Sequence, residues 1–155
     1  MTLRQYRYVG PAEIRDAAMD SSPAGTAIDC AEDLAWWIAS QADEAQPDGS
    51  LIATFVIAVD GTLLLAPRRS EHVACAGGGP VLSAGEITFS TRPEVIEVSN
   101  QSTGFCPEPE SWASVAEALD AIPVPRPDDF TTKVLFRRCQ SCGERNLVKD
   151  GWFVC

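Results

Sequence analysis

The chain has 155 residues, 45% hydrophobic and 8% aromatic, enough apolar material for a core and too much for a disordered chain. Acidic residues number 22 against 12 basic ones, for a formal charge of −10, which repels phosphate backbones and argues against nucleic acid as a partner. The longest apolar run, 51–59, is broken by Thr54 and is far shorter than the ~20 residues of a membrane span, so no membrane is expected.

The first eight residues carry charge without an apolar stretch, which predicts no secretory leader and hence a cytoplasmic protein. Residues 3–9 alternate as a strand would, and Gly10-Pro11 stops them. Pro11 suits the opening of a helix over 12–19, and the cluster 20–25 reads as a turn. Asp29 followed by Glu32 has the spacing of a capping box. A helix over 30–41 follows, with Leu34, Trp37, Ile38 and Gln41 on one face. Trp36 and Trp37 cannot both occupy the centre of that face, so one belongs to the core and the other to its edge or to a contact with another chain. Cys30 is expected to be a small buried apolar group.

After a loop at 46–50, strands over 51–59 and 62–66 flank Asp60-Gly61, a strong hairpin signal. A second hairpin is expected from 85–90 and 94–99 around 91–93. Trp112, Val115, Ala116, Leu119 and Ile122 form a helical stripe, with Ser111 placed to cap it and Pro123 to end it. Residues 124–129 read as a stiff linker and 133–138 as a last strand. Roughly six strands and three helices, joined mostly by tight turns, favour an antiparallel α+β fold over a doubly wound parallel sheet. The domain is expected to span 1–129, with a strand and a small hairpin over 130–155.

The tail carries the most specific motif. Cys139 and Cys142 are spaced as a thiolate pair on a tight knuckle with Gly143 behind it, and a short hairpin then leads to Cys155. Residues 139–155 resemble a zinc ribbon, in which a hairpin joins two such knuckles. The resemblance implies a structural zinc held by Cys139, Cys142 and Cys155, with a fourth cysteine about three residues further on. The alternatives are a redox pair, a closed site borrowing Cys106, Cys75 or His72, and no metal at all. The basic residues nearby, Arg137, Arg138, Arg145 and Lys149, read as solvated charge.

Residues 71–104 hold the other uncommon features. Gly77-Gly78-Gly79-Pro80 lacks the lysine and hydroxyl residue of a phosphate-binding loop and reads as a flexible loop. His72 is the only histidine, and Glu86, Asn100 and Ser102 lie near the ends of strands expected to pair. A concave site lined by His72, Gly78, Glu86, Asn100 and Ser102 follows, with the glycine loop closing over it; against this, residues 99–104 also read as a strand-ending turn bonded to its own backbone. The favoured reading is a non-enzymatic binding or adaptor domain that recognises a protein or small-molecule ligand there. The alternative is a small hydrolase or transferase using His72 and Glu86 with Cys75 or Ser102 as nucleophile.

Overall fold

Alternating side chains in two hairpins build the frame of this computed structural model, which describes residues 3–21, 24–138, 145–149 and 152–153. Strands β2 (Leu51–Ala58) and β3 (Leu63–Pro67) run antiparallel, with Phe55 opposite Leu65 and Ile57 opposite Leu63. Their turn forms as the Asp-Gly pair predicts: Gly61 adopts a φ of 92°, and the Asp60 carboxylate accepts the Thr62 N–H at 2.9 Å. The second hairpin also forms, from β4 (Val81–Phe89) and β5 (Val95–Val98), with β4 beginning before the expected start at Gly85. A short strand that the sequence does not announce, β1 (Thr26–Ile28), completes an antiparallel sheet of order β1-β3-β2-β4-β5. The fold is α+β.

The strand expected over 3–9 is absent. Tyr6 makes one antiparallel bridge to Val81, but the Val9 N–H goes to Gly104 O instead, so the segment divides itself between two neighbours.

Strand alternation sorts the apolar residues into two cores. On one face Phe55, Ile57, Leu65, Ile87 and Phe89 pack under helices α2 (Ala31–Ser40) and α4 (Trp112–Ala121), which contribute Leu34, Trp37, Val115 and Leu119. On the other face Val56, Ala66 and Ala84 join Tyr6, Phe105, Ala18 of α1 (Ala12–Ser21) and residues of α3 (His72–Cys75), a single helical turn.

Helix α2 begins one residue later than its expected cap allows. Cys30 is the N-cap, exposed rather than buried and with no side-chain bond; Asp33 in the first turn reaches back to accept the Asp29 N–H at 3.0 Å. Of the two tryptophans, Trp37 is 3% exposed and Trp36 is 70% exposed, as adjacency on a helix requires. Ser111 does not cap α4 through its side chain. It closes a 3-10 turn (Pro109–Ser111) that runs into the helix, and its hydroxyl lies 2.8 Å from that of Ser83 on β4.

Residues 124–129 are tied to the sheet and to α4. Pro125 O accepts the Val95 N–H at 2.8 Å, and the Arg126 guanidinium forks onto the Asp120 carboxylate at 2.8 and 2.9 Å. The main core continues past this point: Phe130 is buried edge-on against Trp112 at 5.1 Å, and Val134 is buried. Strands β6 (Leu135–Arg138), β7 (Arg145–Lys149) and β8 (Trp152–Phe153) then form a separate antiparallel sheet. Cys139, Cys142 and Cys155 lie outside the described residues.

Candidate ligand-binding site

The helices α1 and α3 cover only part of their face of the sheet. Cover extends over the Val56–Ala84 pair and stops; the next pairs, Thr54–Glu86 and Ile52–Thr88, border open hollows instead. The hollow nearest α3 has a volume of about 220 Å³ and is lined by His72, Glu86, Ser102 and Arg68 together with Thr54, Ser70, Gln101 and Thr103. Neighbouring hollows of about 160 and 500 Å³ share Arg68 and Glu86 with it, so this pair stands where the three meet.

Local structure explains each wall. Thr54, a polar interruption in an otherwise apolar strand, donates its hydroxyl to Arg68 O at 3.0 Å. That bond straps residues 68–71 across β2 and sets both Arg68 and the start of α3. The Arg68 Nε then meets the Glu86 carboxylate at 3.0 Å, with both side chains partly in solvent. The His72 ring lies with Nε2 2.8 Å from Gly85 O. A carbonyl only accepts, so Nε2 carries the proton and Nδ1 the lone pair of a neutral imidazole. Burial favours that neutral form and holds the His72 pKa below its ordinary value.

The opposite wall depends on Gly85. A Cβ at this position would lie 1.8 Å from Ser99 O, so only glycine lets the chain after β5 come down onto β4. Ser99 then bonds Glu86 twice, its N–H to Glu86 O at 2.9 Å and its Oγ accepting the Glu86 N–H at 3.2 Å. A turn follows in which Ser102 O accepts the Cys106 N–H at 2.7 Å, and Phe105 anchors it in the second core. Ser102 is thereby held 2% exposed against the hollow. Its Oγ has no hydrogen-bond partner, and it is the one such buried side-chain nitrogen or oxygen among the described residues.

Of the five residues expected to form a site, the structure brings His72, Glu86 and Ser102 to one hollow. Asn100 does not border it. Its side chain is fully buried, donating to Pro107 O and Val134 O, both at 2.9 Å, and accepting the Val134 N–H at 2.8 Å. Gly78 stands beyond the far end of α3, where a φ of 85° lets its N–H return to Val73 O. Cys75 is in the second core, its thiol directed at Leu64 O and its pKa pushed up to about 12 by burial, which leaves a protonated core residue rather than a nucleophile. Sequence reasoning missed Arg68, Thr54 and Gln101; Thr54 inside the run 51–58 was the available signal.

Among the described residues no group of three or more His, Cys, Asp and Glu side chains is placed to hold a metal ion. No family model, curated protein or solved structure matches the chain.

Proposed function

We propose that the chain is a cytoplasmic, non-catalytic binding domain, recognising a protein or small ligand at the hollow between His72, Glu86 and Ser102. One observation carries this reading: His72, Glu86 and Ser102 line one open hollow together with Arg68, and the buried hydroxyl of Ser102 has no partner. Leaving such a group unpaired costs on the order of 1–3 kcal/mol, a cost that an incoming polar group removes. The hollow's size supports recognition of a group within a larger partner, since about 220 Å³ lies below the roughly 300 Å³ at which pockets begin to enclose drug-sized molecules. NMR screening of a small set of polar fragments tests it. Resonance shifts should concentrate at the His72 ring and the backbone of residues 99–103. Shifts scattered over the surface, or confined to α2, would overturn the assignment.

The spacing of Cys139, Cys142 and Cys155 supports a second element of the proposal, a structural zinc at the tail, as the resemblance to a zinc ribbon implies. Zinc titration of this chain against one extended by a few residues ending in cysteine should give the tighter site to the longer chain, because it supplies a fourth thiolate. Equal affinity with four-coordinate sulfur in the shorter chain would place the fourth ligand elsewhere in the 155 residues.

A further inference from the structure

Among the described residues, Trp36 is the large apolar side chain that the fold leaves most in solvent, 70% exposed. It stands on the outer face of α2 with Glu32, Ala35 and Ala39, all exposed, while Leu34 and Trp37 turn inward to the first core. The two alanines are too short to shield the indole, and among the described residues no ring or cation packs on it. Tryptophan is enriched among the few side chains that dominate binding at protein interfaces.

The charge around this face selects what covers it. Residues 16–67 contain nine acidic side chains and no lysine, arginine or histidine, so this stretch carries nearly all of the net charge of −10. Helix α2 lies in its middle. Asp29, Glu32, Asp33 and Asp43 stand on the helix or just beside it, and among the described residues no cation pairs with any of them. Glu32 precedes Trp36 by one turn on the same face. A guanidinium laid on the indole would therefore meet the ring's negative face and a carboxylate together, and its planar shape suits stacking better than an ammonium does. An anionic partner is repelled by the same field, and a neutral one gains nothing from it.

We propose that the outer face of α2 docks a basic, arginine-bearing segment of a partner protein, with a guanidinium stacked on Trp36 and paired with Glu32. This face lies across the sheet from the hollow at His72 and is independent of what that hollow binds.

The experiment titrates the full chain at physiological salt with capped tetra-arginine, tetraglutamine and tetraglutamate peptides. It follows by NMR the indole N–H resonance that Trp36→Phe removes. Tetra-arginine should shift this resonance saturably and the other two should not. Trp36→Ala, a change at an exposed position, should weaken tetra-arginine about fivefold, with Trp36→Phe recovering part of the loss. Glu32→Gln should weaken it about twofold, and Glu13→Gln, the same charge change on α1 across the sheet, should have the smaller effect. Undiminished affinity in Trp36→Ala would make the attraction diffuse and overturn the docking site. Equal saturation by tetraglutamine would overturn the choice of a basic partner. Self-association of the free chain in sedimentation, abolished by Trp36→Ala, would give the face to a second copy and overturn that choice as well.

Discussion

Asn100 and Ser102 stand two positions apart in one polar cluster, and they differ in what surrounds them. Asn100 has three hydrogen bonds in a fully buried setting, so Asn100→Ala removes those bonds and strands two carbonyls and an N–H. A loss of roughly 2–4 kcal/mol is expected in urea unfolding. Ser102→Ala deletes a buried hydroxyl that bonds to nothing and should raise stability, by up to about 1–3 kcal/mol. The reverse order would show that Ser102 finds a partner in the free protein. In the sequence the two look alike. Asn100's partners, Pro107 and Val134, are set by tertiary folding that no local pattern around residue 100 encodes.

Among the elements, those with a full period or a decisive turn residue were readable. Asp60-Gly61 located one hairpin, and an apolar stripe located α4. The missed elements, β1 and α3, have three and four residues and so contain too little repeat to stand out from a loop. The boundary expected at residue 129 follows from the prolines of the linker, yet the core includes Phe130 and Asn100 depends on Val134. A chain ending at residue 129 should therefore unfold at markedly lower urea than one ending at 138, since burial of Phe130 alone is worth about 3–5 kcal/mol. Equal midpoints for the two chains would return the boundary to 129.

For the molecule as a whole, turn residues and short spacing made the antiparallel α+β class legible. The division into two cores was not, because it depends on the strand order that puts β2 between β3 and β4. Global stability should record the half-buried imidazole. The His72 pKa is lowered in the folded state from 6.5, chiefly by desolvation, so the unfolded chain binds more protons once pH falls below that value. This contribution is complete above pH 6.5 and is lost as pH falls through the interval down to the folded pKa. The carboxylates of Asp48, Asp60, Asp120 and Asp129, lowered from 3.8 mainly by hydrogen bonds, act in a more acidic range. Urea midpoints measured from neutral pH downward should fall from about pH 6.5, and His72→Gln should flatten that slope. An unchanged slope in the variant would assign the effect to other groups.

Gly85 has a consequence for how this protein can diversify. Each of the nineteen other amino acids brings a Cβ or its equivalent, and the backbone oxygen of Ser99 occupies the space that atom would need. Sequence change at residue 85 is closed at the first atom, whatever follows it. The side chains of Arg68, Glu86, Gln101 and Thr103 meet no such barrier, because their outer ends face the hollow rather than another backbone. Descendants of this chain can therefore acquire new ligand preferences by exchanging those side chains while the crossing of β4 by the following chain stays fixed. Variation and constraint are thus separated by only one residue, at Gly85 and Glu86.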